Sequence, residues 1–128
     1  MLYPMYEKNG VQLYLASKRD VIEAQEQDFP ATYIFVPGKV DFISDHHTQE
    51  MNLGAINVYS QWISSELECG NNVVVYCQGG IERSALVVAM FLAEERDETL
   101  DEAYNWVQSI KGDVMRREYL LPKHLQWW

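Results

Sequence analysis

The chain has 128 residues, is 48% hydrophobic and carries a formal net charge of −9 from 19 acidic and 10 basic side chains. That length suits one domain spanning residues 1–128, burying about two-thirds of its unfolded surface without disulfide help. The acidity argues against a nucleic-acid or anionic-membrane surface, and the apolar runs are too short to span a bilayer.

In chain order, Val11-Gln-Leu-Tyr-Leu15 alternates like an edge strand. Ser17 to Gln27 reads as a helix, with Ser17 as its cap, Asp20 three residues on, and Phe29-Pro30 ending it. Thr32–Val36 gives a second strand and Pro37-Gly38 a turn. Val40-x-Phe42-Ile43 is a short apolar alternation that gives way to a loop at Asp45. Residues 48–68 read as a longer amphipathic helix with Ala55, Tyr59, Trp62 and Ile63 on its apolar stripe, closed by Gly70-Asn71-Asn72.

Val73–Tyr76 is a β-branched strand, followed by a glycine-containing loop and an apolar helix over residues 84–95. After a solvated connector, Arg96-Asp97-Glu98, Thr99 and Glu102 form a capping box. Leu100, Ala103, Tyr104, Val107 and Ile110 then follow helical spacing, and residues 114–127 are expected to form a last helix. Strands alternating with helices predict a compact three-layer α/β sandwich, its central, mostly parallel sheet flanked by helices. Trp62 and Trp106 are assigned to the core, and Trp127-Trp128 to packing on the domain or to a partner contact.

The chemistry concentrates in Tyr76-Cys77-Gln78-Gly79-Gly80-Ile81-Glu82-Arg83-Ser84. A free thiol titrates near roughly 8.5 and is only a few per cent ionised at neutral pH. A helix N-terminus with a guanidinium beside it can lower that to about 3.5–7.5. The helix beginning at Ser84 supplies such a terminus, and its N–H groups with those of the loop suit a tetrahedral oxyanion. Gln78, Gly79, Gly80, Ile81, Glu82 and Arg83 thus become the candidate substrate-binding residues around Cys77. Gly79 and Gly80 allow positive φ and close backbone approach. Arg83, six positions after Cys77, offers a planar fork that matches two phosphate oxygens. Ser84 can donate its hydroxyl to the sulfur and stabilise it as a leaving group.

This segment resembles the Cys-x5-Arg-Ser loop of the dual-specificity phosphatases in the cysteine-dependent protein tyrosine phosphatase superfamily. Thr99-Leu-Asp-Glu-Ala103 and the closing Leu121–Trp127 resemble later parts of that family. The likeness covers most of residues 11–127, strongest at the loop. It implies a protein tyrosine phosphatase-like fold, with Cys77 as nucleophile, Arg83 as phosphate clamp, and a general acid from an upstream aspartate. Asp45 and Asp41 are the candidates; Asp45 is preferred because its distance from Cys77 resembles the family's and Asp41 falls in the apolar alternation. The implied reaction is hydrolysis of phosphotyrosine, and of phosphoserine or phosphothreonine, through a cysteinyl-phosphate. Two departures stand out. Tyr76 occupies the place of the family's usual histidine, and Glu82 adjoins Arg83, where it is expected to turn outward or pair with a basic group.

Other readings carry less. His46-His47 have no evident third ligand and are not assigned to a metal, although they could touch substrate beside Asp45. Gly79-Gly80 lacks the lysine and spacing of a nucleotide loop, and Ser84 lacks the glycines of a hydrolase elbow. Cys69 is expected to be a core residue at a helix end, unbridged to Cys77, because an intervening strand holds the two beyond the roughly 7 Å a disulfide tolerates. An unbridged thiolate and the lack of a charged–apolar leader suggest the cytoplasm. The expected partner is a phosphorylated protein or small phosphoester, met by a monomer with no cofactor, no metal, no nucleic acid and no membrane. The main alternative is a catalytically weak or inactive phosphate- or phosphopeptide-binding module of the same fold. Sulfur transfer, arsenate reduction, and hydrolysis of RNA 5′-triphosphates or phosphoinositides are less favoured. The first two call for another loop length or further redox cysteines, and the loop interior has no lysine to grip additional phosphates.

Overall fold

The computed structural model of the chain describes residues 1–36 and 46–117, with the backbone alone for residues 46–52. Two strands, β1 (Tyr3–Lys8) and β2 (Val11–Ser17), precede helix α1 (Lys18–Glu26) and strand β3 (Thr32–Phe35). Helix α2 (His46–Glu68), strand β4 (Val73–Cys77), helix α3 (Arg83–Glu95) and helix α4 (Leu100–Ile110) follow.

The four strands lie in the order β1-β2-β4-β3. β4 pairs parallel with both β2 and β3, while β1 pairs antiparallel with β2. Asn9 (φ 52°) and Gly10 (φ 86°) make the tight hairpin turn between β1 and β2. The stretch expected to be an edge strand is therefore interior, and β1 takes the edge. Its sequence hides it, because Pro4 and two charges interrupt the alternation and only Met5 is buried. Proline is tolerated there because an edge strand need not donate on both sides, and the register shifts between Pro4 and Tyr6.

The alternation of each strand sorts its side chains between two layers. Leu13, Leu15, Ile34, Val73 and Val75 meet α2, α3 and α4 on one face. Ala16, Val74, Tyr14, Tyr33 and Tyr76 meet α1 on the other. The result is the expected three-layer α/β sandwich. α3 is buried from Ser84 to Ala93, as a helix enclosed by the sheet and two neighbouring helices must be. Each large aliphatic side chain fully buried there contributes about 1.5–3 kcal/mol.

Both expected caps are formed. Ser17 and Asp20 make a capping box on α1, and Thr99 and Glu102 make one on α4. The buried stripe of α2 is displaced from the expected one, running through Ile56, Ser60, Ile63 and Leu67 and leaving Ala55 and Trp62 exposed. Ser60 disguised it, since its hydroxyl is buried only because it donates to Glu94 Oε2 at 3.2 Å. Cys69 is exposed rather than in the core. Trp106 is 41% exposed, its indole N–H held by the Met5 carbonyl at 2.8 Å and its ring covered by the Arg96 guanidinium. Residues 114–117 are not helical. The rest of the expected last helix, Pro37-Gly38, the 40–43 alternation, Asp41, Asp45 and Trp127-Trp128 lie outside the described residues.

Candidate active site

β4 ends at Cys77 and α3 starts at Arg83, so five residues must turn the chain from sheet to helix. Gly80 makes the turn possible. Its φ of +69° suits a residue without a side chain, and a Cβ there would stand 2.7 Å from the Ala16 carbonyl. Gly79 has no such need, contrary to the sequence reading: its φ is not positive, and a Cβ would meet only the Ile81 side chain at 3.5 Å. The Lys18 N–H donates to the Gln78 carbonyl at 3.3 Å, tying the loop to the start of α1.

The turn folds donors onto the sulfur. Cys77 Sγ lies 2.9 Å from Ser84 Oγ and receives the Gly80 N–H at 3.3 Å. Burial pushes the thiol up, but the Ser84 hydroxyl and the N–H groups of Ser84, Gly80 and Glu82 more than offset it, holding the thiol below its ordinary value. The sequence pointed to a helix terminus and a guanidinium; the structure adds individual hydrogen bonds. Tyr76 plays no part in them, because alternation turns its ring to the α1 face, 5.2 Å from the ring of Phe35.

An open cavity of ≈ 440 Å³ fronts the sulfur, lined by Phe35, Val36, Cys77, Gln78, Gly79, Ile81, Glu82 and Arg83. Of the nine residues proposed for the site, Cys77, Gln78, Gly79, Ile81, Glu82 and Arg83 line this cavity, Gly80 and Ser84 hydrogen-bond the sulfur, and Asp45 is not among the described residues. Arg83 Nε is buried with no hydrogen-bond partner among the described residues. A buried donor of a charged group without an acceptor is costly, and an oxyanion before the sulfur would supply one. Among the described residues no group of three or more His, Cys, Asp or Glu side chains is arranged to hold a metal.

Three contributors went unforeseen. Phe35 and Val36 reach the cavity because β3 pairs in parallel with β4, setting Phe35 level with Tyr76; parallel pairing of the two strands was the only available signal. Arg117 lies far along the chain, yet its Nη2 sits 2.8 Å from Glu82 Oε1. Glu82 thus pairs with a basic group, as expected, and nothing in the sequence identified which.

Residues 5–127 match the family described as dual specificity phosphatase, catalytic domain. Dual specificity protein phosphatase 2 of Homo sapiens is 35% identical over 69 residues, 54% of this chain and 21% of that protein. Dual specificity protein phosphatase 1-B of Xenopus laevis is 33% identical over 85 residues, 66% of this chain and 23% of that protein. The matched stretches span less than a quarter of those two relatives. In fold, the crystal structure of human DUSP28 superposes with a TM-score of 0.70 at 18% identity, covering 93% of this chain and 86% of that one. PTPMT1 superposes with a TM-score of 0.70 at 17% identity, covering 94% and 89%. A thiol loop of this shape, on this sheet, within a sequence matched almost from end to end, has one consistent reading: the chain belongs to the dual specificity phosphatase catalytic-domain family.

Proposed function

We propose that this domain hydrolyses phosphomonoesters, phosphotyrosine first and phosphoserine or phosphothreonine with it, through a cysteinyl-phosphate. The observation that carries the reading is the sulfur held by converging donors in a cavity it shares with Arg83, whose buried guanidinium Nε has no partner among the described residues. The Cys77 thiolate attacks phosphorus, forming the S–P bond as the P–O bond to the leaving group breaks. Loop amides and Arg83 hold the remaining oxygens as charge develops on them. Asp45 gives its proton to the leaving oxygen, a contribution of about 10²–10⁴-fold for groups of this kind.

In the second step Asp45, now ionised, takes a proton from water. The water oxygen bonds to phosphorus, the S–P bond breaks, and the Ser84 hydroxyl donates to the departing thiolate. Phe35, Val36 and Ile81 line the cavity with apolar surface that suits an aryl leaving group. No cofactor is required by this scheme, in which the domain acts as a monomer in a reducing cytoplasm.

The test is turnover of an aryl phosphate by wild type, Cys77→Ser and Asp45→Asn. The expected result is no turnover with serine, and a loss of about 10²–10⁴-fold with asparagine, greatest for poor leaving groups. Wild type no faster than Cys77→Ser would overturn the enzymatic reading and leave a phosphate-binding module.

A further inference from the structure

The loop that must accept a phosphate dianion places a carboxylate, Glu82, in the wall of its cavity, next in sequence to Arg83. Left alone, that charge would repel the ligand and oppose ionisation of Cys77. The structure shows where it goes. Glu82 precedes the first residue of α3 but makes no side-chain cap there. Its Oε1 instead accepts from Arg117 Nη2 at 2.8 Å, with the two side chains only 28% and 15% exposed.

Arg117 is itself held in place. Its N–H donates to the hydroxyl of fully buried Tyr104 at 3.2 Å, and two residues earlier the Met115 N–H donates to the Ile81 carbonyl at 2.8 Å. The segment after α4 therefore runs alongside the phosphate loop, bonding to its backbone at Ile81 and to its side chain at Glu82. Because Glu82 closes on Arg117, Arg83 keeps its Nε free of a carboxylate among the described residues.

We infer that Arg117 is a positioning residue of the site: it neutralises Glu82 and draws it off Arg83, so that the cavity admits a phosphoryl dianion and the Cys77 thiolate is not opposed. The pair is partly buried, so it acts through a dielectric well below that of water and is only weakly screened. Arg117 is not among the described residues that line the cavity, and it acts on the site through Glu82. This inference rests on the phosphate-binding reading above, and two separate readouts keep the failures of each apart.

The first readout is inorganic phosphate affinity, measured by calorimetry on wild type, Arg117→Met, Glu82→Gln and the double variant. The second is the pH dependence of iodoacetamide labelling at Cys77, resolved from Cys69 by peptide mass. Arg117→Met is expected to weaken phosphate about fivefold and to raise the pH at which Cys77 labels, because a nearby negative charge is left uncompensated. Adding Glu82→Gln should restore both. Glu82→Gln alone should bind phosphate more tightly than wild type, since the wall of the cavity then carries no carboxylate at that position. It carries the test if Arg117→Met does not fold.

Unchanged values in Arg117→Met overturn the inference. So does a double variant as impaired as Arg117→Met, which would mark a purely structural role, and so does unchanged or weaker binding in Glu82→Gln. Wild type that binds no phosphate sinks the functional reading instead, and the labelling profile still decides the role of Arg117.

Discussion

Gly80 and Ala16 meet backbone to backbone, so that a Cβ on the glycine would lie 2.7 Å from both the carbonyl carbon and the oxygen of Ala16, and 2.9 Å from Ser17 N. These are main-chain atoms of β2 and its end, and none can rotate away. The φ of +69° adds about 1–2 kcal/mol of strain for any residue with a side chain. Gly80→Ala must therefore lift the loop off β2 and withdraw the N–H that reaches Cys77 Sγ. Losing one fixed donor at a site of developing charge typically costs about 10²–10³ in rate, and a fall of that order in kcat is expected. Gly79→Ala, with only a side chain at 3.5 Å, should lose far less. Equal losses in the two variants would show that the contact with Ala16 does not shape the loop.

Ser84 faces Cys77 from the first turn of α3, and its hydroxyl leads the hydrogen bonds that counter the burial of the thiol. The sign follows directly. With that donor removed in Ser84→Ala, the protonated thiol is less disfavoured and the thiol titrates at higher pH. The acid limb of kcat/KM, which falls as thiolate is lost, should move toward alkaline pH, and labelling of Cys77 at neutral pH should slow. Hydrolysis of the cysteinyl-phosphate should slow more than its formation, because the departing sulfur loses its donor. A burst of aryl alcohol followed by a slow steady state is the expected trace. An acid limb that stays in place would remove Ser84 from the ionisation of Cys77.

Arg83 stands at the start of α3 with its Nε buried and without an acceptor among the described residues. Lysine in its place keeps the charge but presents a single ammonium where the guanidinium presents a fork. If the role were charge alone, Arg83→Lys would be mild. If two oxygens are held at once, kcat/KM should drop by about 10²–10³. Inorganic phosphate should also bind more weakly. A loss under fivefold would place the bidentate clamp elsewhere.

Phe35 is 44% exposed at the cavity and tilts against Tyr76 with ring centroids 5.2 Å apart. An aromatic ring held at the mouth of a phosphate site can stack on an aryl leaving group, worth about 0.5–1.5 kcal/mol for a well-formed pair. Phe35→Ala should therefore raise KM for an aryl phosphate by roughly threefold to tenfold, and hardly change it for a small alkyl phosphate. Parallel increases for both substrates would mean that the ring supports the loop rather than the leaving group.

Much of this could be read beforehand because it is local. Ser17 with Asp20, and Thr99 with Glu102, are capping boxes written within four residues, and both are formed. The order strand, thiol, glycine, arginine, serine, helix is equally local, and the structure sets those residues around one cavity. What stayed hidden depends on residues distant in sequence. Tyr3–Lys8 becomes a strand only because Val11–Ser17 lies beside it. Arg117 meets Glu82 across 35 positions, through a segment that was expected to be helical and whose residues 114–117 are not. The stripe of α2 was displaced because one polar residue, Ser60, is buried on the strength of a partner on α3.

A last prediction concerns stability rather than rate, at the junction of α2 and β3. Glu66 accepts from Asn71 Nδ2 at 2.8 Å and Thr32 Oγ1 at 3.1 Å on one oxygen, and from Trp62 Nε1 at 3.3 Å on the other. The Asn71 amide is the main reason its carboxyl sits below the usual 4.5; slight burial opposes it, and Thr32 and Trp62 add to the lowering. Folding therefore favours the carboxylate. The stability this adds is fully present above the unfolded value near 4.5 and is lost as pH falls through the lower folded value. Glu66→Gln cannot ionise, so it forgoes that contribution at every pH. Thermal unfolding should give the wild type a higher Tm at pH 7, with the gap narrowing below pH 4.5 and closing once the native carboxylate is protonated. A gap that persisted unchanged into strong acid would mean that the shape of the side chain, and not its charge, joins the helix to the strand.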